Sequence, residues 1–212
     1  MLPHATPCSD THGLALLPAV FCSCRNACER ISRGALAHNV FRNPITLSGS
    51  PMPNELMPQA IAETEGPAFW FLNNLCIVKA TTESTGGSFA MLYQISPPGS
   101  ATPYHLHHDE DEAFYILAGE YTFICDGVKH VVGPGGYVFL PRGIPHGIRV
   151  TGSVPATMLV MAMPGRGFFG MMEEMAVPAL ERVLPEPSQP DIEKLTRLCT
   201  KYRIDILGPL PD

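Results

Sequence analysis

The run HLHHDEDE at residues 105–112 holds three His and four acids around one apolar residue, Leu106. Asp, Glu, Lys and Arg make up only 16% of the 212 residues, so this concentration calls for a cause. A solvated loop collects such side chains for no chemical reason. The other reading is a metal site, because imidazole nitrogens and carboxylate oxygens suit divalent first-row ions. In a strand, residues two apart share a face. His105 and His107 then point one way, and His108 points the other way with Leu106. Glu112 opens the apolar run EAFYILAG and comes back beside the two His after a turn. Asp109, Glu110 and Asp111 are expected to form that turn, exposed to water together with His108.

A further ligand has to come from another segment. His130, in VKHVV, follows a turn and reads as a polar residue on a strand surface. His146, in LPRGIPHGIRV, is preferred. Pro141, Gly143 and Pro145 fix the backbone that leads to it, and it opens an apolar strand. A rival pattern, His105-x-His107-x-Asp109, is similar to the start of metallo-β-lactamase-like hydrolases. That pattern continues with His where Glu110 stands, and it needs alternating helices and strands that are not visible here.

The elements that must position these residues are short. From residue 67 the chain runs AFWFLNNLCIVKAT, GSFAMLYQISP, EAFYILAGEYTFICDG, KHVVGP, YVFLP, HGIRVTG and ATMLVMAMP. Each apolar piece is bounded by Gly, Pro, Asn or Asp, and Pro is abundant at 22 residues. Such punctuation predicts an all-β sandwich or barrel. Hairpins are expected at Ala118-Gly119-Glu120 and at Asp126-Gly127. After residue 165 the spacing turns helical, with a breaker at Pro178. Asp191 is a good N-cap for a helix with apolar residues at Ile192, Leu195, Leu198 and Cys199, expected to pack outside the barrel or against a second subunit. Three regions follow: an N-terminal extension over 1–51, a barrel over 52–165 and a helical tail over 166–212. The extension has no sustained period except a short amphipathic stretch near 27–41. It is expected to be flexible or an over-long start.

Composition excludes some classes. The net charge is −6 and no basic patch stands out, which argues against a nucleic-acid partner. No apolar stretch reaches the ~18–20 residues that span a bilayer. Residues 13–24 are interrupted by Pro18 and lack a preceding Lys or Arg, so no secretory leader is expected. Seven Cys at scattered positions argue against a disulfide framework. Cys22, Cys24 and Cys28 read as free thiols, and a cytoplasmic location fits.

The stretch Gly99-SATPY-His105-Leu-His107-HDED-Glu112-AFYILA-Gly119 matches the pattern G-x5-H-x-H-x4-E-x6-G. Gly135-GYVFL-Pro141-Arg-Gly143-IP-His146 matches G-x5-P-x-G-x2-H. These are the two motifs of the cupin superfamily, and the chain resembles it over roughly residues 67–163. The second motif usually continues to an Asn where Val150 stands; that Asn is not a ligand in the family. The resemblance implies a small jelly-roll β-barrel. It further implies one divalent transition metal (Fe, Mn, Co, Ni, Cu or Zn) held by His105, His107, Glu112 and His146.

With WFLNNLCIVKAT, HLHHDEDEAFYILAGEYTF, PGGYVFLPRGIPH and the ending YRIDILGP, the chain looks like the bacterial single-domain cupins called quercetin dioxygenase-like. That likeness implies O2-dependent cleavage of a flavonol or other enolic small molecule, with Glu112 as the catalytic base. The alternatives are a metal-dependent isomerase, decarboxylase or epimerase, and a non-catalytic module that binds a small ligand. The family also implies pairing into a homodimer. An apolar substrate pocket is expected from Tyr104, Met91, Tyr93, Phe114, Phe123 and Phe139.

Overall fold

The β-branched and aromatic runs form strands in the computed structural model, which describes residues 56–212. The elements are β1 (Ala68–Phe71), β2 (Asn74–Ala80), β3 (Ala90–Ser96), β4 (Tyr104–His107), β5 (Asp111–Ala118), β6 (Tyr121–Cys125), β7 (Val128–Val132), β8 (Tyr137–Leu140), β9 (His146–Val150) and β10 (Ala156–Met163). They are followed by α1 (Arg166–Met175), β11 (Val177–Pro178), α2 (Ile192–Lys201) and β12 (Ile204–Gly208). The extension over 1–51, the amphipathic stretch at 27–41, residues 13–24 and the three clustered Cys lie outside the described residues.

Two antiparallel sheets face each other. One runs β11-β1-β2-β3-β10-β5-β8 and the other β12-β4-β9-β6-β7. Side chains that alternate inward from both meet in one core, which includes Leu92, Phe114, Ile116, Phe123, Leu140, Ile148 and Val160. This is the all-β jelly-roll architecture that the sequence predicts. No helix among the described residues is long and apolar enough to cross a membrane.

The two expected hairpins have different outcomes. Asp126 and Gly127 both have positive φ, 48° and 76°, and join the paired strands β6 and β7, as a two-residue turn requires. The chain also reverses at Gly119, but there it leaves one sheet for the other. β5 pairs with β10 and β8, whereas β6 pairs with β7 and β9. The segment is therefore a crossing between layers and not a hairpin.

The tail also differs from expectation. α2 starts where predicted, with the Asp191 side chain accepting from the Lys194 backbone N–H. Its buried residues Leu195, Leu198 and Cys199 join the same core as α1 and the strands. The chain then returns as β12, which lies antiparallel to β4, with Ile206 opposite His105 and Ile204 opposite His107. The tail therefore keeps the expected helical segment and adds to it a strand of the second sheet, which the sequence reading did not expect.

Candidate metal centre

β4 and β9 bring the three histidines together. His105 lies directly opposite His146 in the ladder, and His107 follows on the same face of β4. Glu112 comes from β5 in the facing sheet. The cluster thus bridges the two layers. One ligand atom from each of His105, His107, Glu112 and His146 lies within 4.8 Å of all the others. His107, Glu112 and His146 are 2%, 4% and 1% exposed. Glu112 Oε2 is 3.1 Å from His146 Nε2 and 3.5 Å from His107 Nε2.

Two of the imidazoles are oriented by the backbone. His105 Nδ1 is 2.8 Å from the Pro103 carbonyl, and His146 Nδ1 is 2.8 Å from the Ile144 carbonyl. A carbonyl only accepts, so each Nδ1 carries the hydrogen. In the neutral ring this leaves the Nε2 lone pair aimed into the cluster. A lone pair at 3.1 Å from a carboxylate oxygen is repulsive unless a proton or a cation lies between them. A cation held between the four atoms, which lie within 4.8 Å of one another, would remove that conflict. The donor set therefore fits a divalent transition metal. A donor set of three imidazoles and one carboxylate does not select one metal over another.

Burial and the neighbouring charges act on these groups in opposite directions. Burial, followed by the neighbouring His146 and His107 rings, lowers His105 to about 4, so this ring is a neutral donor. Burial pushes the Glu112 carboxyl up, but the His107, His146 and His105 rings outweigh it and hold the group at about 2, ionised. For His107, burial opposes the charge while the Glu112 and Glu110 carboxylates favour it; the result is above the ordinary value.

Cavities flank the centre. An inner one of about 70 Å³ runs between the sheets past His105, Glu112 and Phe114. An outer one of about 60 Å³ lies over His105 and His107, walled by Phe71, Phe168, Met171 and Ile204.

Of the expected pocket residues, only Phe114 lines a cavity at the centre. Phe123 is fully buried and packs its ring 5.2 Å from that of Phe114 as core. Met91 and Tyr93 face away from the centre, because Leu92 between them points into the core; the Tyr93 hydroxyl donates to Glu63. Phe139 is 47% exposed next to the inward Leu140. Tyr104 is half-buried in β4 beside Gly208 and lines neither cavity. For Met91, Tyr93, Tyr104 and Phe139 the cause is strand parity, which sends each side chain away from its inward neighbour; Phe123 points inward and is filled space in the core. His130 is exposed on β7, as read from the sequence.

The expected acidic turn is corrected at two residues, Glu110 and Asp111. His108 and Asp109 are exposed, held by Asp205 and Arg203. Asp111 begins β5 and is clamped by the Arg142 guanidinium and backbone N–H. Glu110 is not solvated at all. It is 3% exposed and accepts from two backbone N–H groups of α1. Sequence reasoning also missed the outer cavity wall. Ile204 and Ile206 alternate in RIDILG, which was a usable strand signal; Phe168 and Met171 looked like ordinary helix positions.

Comparison with known proteins bears on the same residues. A family model described as a cupin domain matches residues 92–162. The chain is 31% identical over 105 residues to quercetin 2,3-dioxygenase of Bacillus subtilis, covering 50% of this chain and 31% of that protein. It is 35% identical over 75 residues to the dimethylsulfoniopropionate lyase DddQ of Ruegeria pomeroyi, covering 35% of this chain and 37% of that protein. Among solved structures, a predicted oxalate decarboxylase from Thermotoga maritima superposes with a TM-score of 0.47 at 23% identity, over 50% of this chain and 98% of the other. The chain spans 31% to 56% of the length of the curated relatives it matches. Leu92 to Ala162, the stretch that the cupin-domain model matches, contain His105, His107, Glu112 and His146 within the strands that frame them, which supports the cupin superfamily for this region.

Proposed function

We propose that this cupin is a metal-dependent enzyme for a small molecule with an oxygen donor, and that O2-dependent cleavage of an enolic substrate is its reaction. One observation carries the reading: a buried ionised carboxylate stands among three imidazoles at the meeting point of two cavities. His105, His107, His146 and Glu112 would hold the metal, which supplies Lewis acidity and a template for an oxygen donor. As one of the four residues holding the metal, Glu112 would stand beside that donor and would serve as its general base. Phe71, Phe168 and Met171 keep water from the open side. The likeness to quercetin 2,3-dioxygenase supports oxygen chemistry. Cavities of about 60 and 70 Å³ favour a substrate much smaller than a three-ring flavonol, since pockets for drug-sized ligands occupy roughly 300–1,000 Å³.

A second reading, proton transfer without O2 as in a lyase or isomerase, is favoured by the same buried base and the same small cavities. An oxygen electrode separates the two. Protein loaded in turn with Fe(II), Mn(II), Co(II) and Ni(II) is given 3-hydroxy-4-pyranone, the one-ring core of a flavonol, and quercetin for comparison. The expected result is O2 uptake with the smaller enol that falls at least 100-fold in Glu112→Gln. Turnover of the enol under argon establishes the second reading instead, and no turnover with any metal leaves a ligand-binding module.

A further inference from the structure

His105 and His146 are each steadied by a backbone carbonyl, but His107 is not. Its Nδ1 is buried without a hydrogen-bond partner among the described residues and faces Glu110 Oε2 at 3.8 Å. That carboxylate has other partners. Oε1 accepts from Gly167 N–H and Oε2 from Phe168 N–H, both at 2.6 Å. These belong to the first turn of α1, whose N–H groups have no acceptor within the helix; the N-cap residue, Gly165, supplies no side-chain bond. One carboxylate therefore stands between a metal-site imidazole and the helix whose Phe168 and Met171 cover the outer cavity.

We infer that Glu110 is a positioning residue that couples the metal centre to α1: it orients His107 and fixes the Phe168 end of the helix over the open side of the metal. The inference rests on the metal-centre reading and deepens it. A simple helix cap has no need of this place. A Ser or Asp at the N-cap performs that role at the surface, whereas a polar group buried out of water is costly unless it is hydrogen-bonded. The approach is also built from both sides. A Cβ on Gly167 would lie 2.8 Å from Glu110 Oε2 and 3.0 Å from its Cδ, so the missing side chain there admits the carboxylate. Partners in the shell around a metal's own ligands commonly alter metal affinity about 10–100-fold.

The test uses the full chain, stripped of metal and titrated with Co(II), whose visible absorption reports ligand geometry. Two variants are compared with wild type. Glu110→Gln keeps one capping oxygen and replaces the other carboxyl oxygen with an amide NH2. Gly167→Ala touches no metal ligand and displaces the carboxylate from the helix side. The expected result is about tenfold or greater weakening of Co(II) binding in Glu110→Gln with an altered absorption spectrum. Gly167→Ala should change the spectrum in the same sense, with a smaller loss of affinity. Circular dichroism checks folding; if Glu110→Gln does not fold, Gly167→Ala decides alone. Wild-type affinity and spectrum in the folded variants, with only a lower melting temperature, would reduce Glu110 to a helix cap and overturn the inference. Wild-type protein that binds no Co(II) removes the metal centre itself, and the coupling with it.

Discussion

At the scale of single residues, the cluster sacrifices stability for binding. Without metal, Glu112 is a buried carboxylate whose oxygen lies 3.1 Å from an imidazole nitrogen that carries its hydrogen on the other side. A Gln at 112 has nearly the same shape and offers an N–H to that lone pair. Replacing one buried charge by a neutral isostere is often neutral or stabilising. The prediction is that metal-free Glu112→Gln melts no lower than metal-free wild type at pH 8.5, above the range in which an imidazole ordinarily keeps its proton. Adding metal reverses the order. At 100 times its Kd a ligand adds about 2.7 kcal/mol to the wild type, roughly 5–11 °C for a chain of this size, and Glu112→Gln should gain much less. Differential scanning calorimetry with and without Co(II) measures both. A metal-free variant that melts far below wild type would mean that the four residues form an ion-pair cluster held by protonated imidazole, with no need of a metal.

At the scale of elements, two glycines separate what the sequence could and could not reveal. Gly119 and Gly127 both sit in turns with positive φ, 75° and 76°. A Cβ on Gly127 meets nothing within 4 Å, but one on Gly119 lies 2.5 Å from Ala156 Cβ and 2.7 Å from its Cα. Ala at 127 should cost only the left-handed backbone penalty, about 1–2 kcal/mol. Ala at 119 adds the clash at the crossing and should cost about 2 kcal/mol more. Urea unfolding of the two variants checks the difference, and equal losses would remove the argument that Gly119 admits the close approach of β10. The strands were legible because period-2 runs bounded by Gly and Pro are local signals. So was the Asp126-Gly127 hairpin. Whether the turn at Gly119 stays in its sheet was not, because that depends on Ala156, far along the chain. The meeting of His105, His107, Glu112 and His146 was legible for the opposite reason: the motif spacing states which residues come together. The pocket was not, since Met91, Tyr93 and Phe139 were counted as apolar without regard to parity. Glu110 was hidden because its partners are 57 and 58 residues away.

At the scale of the whole molecule, the end of the chain builds the centre without supplying a ligand. β4 carries two of the four metal residues, yet its register with β9 is the single pair His105–His146. On its other side β12 pairs with it from Tyr104 to His107. The strand that aims His105 and His107 is thus held chiefly by the last strand of the chain. α2 ties β12 down from the outside: Leu195, Leu198, Cys199 and Ile204 are all at most 5% exposed, and each large aliphatic side chain so buried contributes about 1.5–3 kcal/mol. Removing residues 191–212 deletes none of the four ligands but frees one edge of β4 and opens the outer cavity. The expected outcome is a chain that keeps strand-type circular dichroism and binds Co(II) at least 100-fold more weakly. Ile204→Ala, which thins the packing opposite His107 and leaves the ladder in place, should weaken binding by a smaller factor of about three to ten and serves if the truncated chain aggregates through its bared edge. Full Co(II) affinity in both would show that the tail lies outside the working centre; a graded loss means that the second sheet has to be closed by β12 before its histidines can act together.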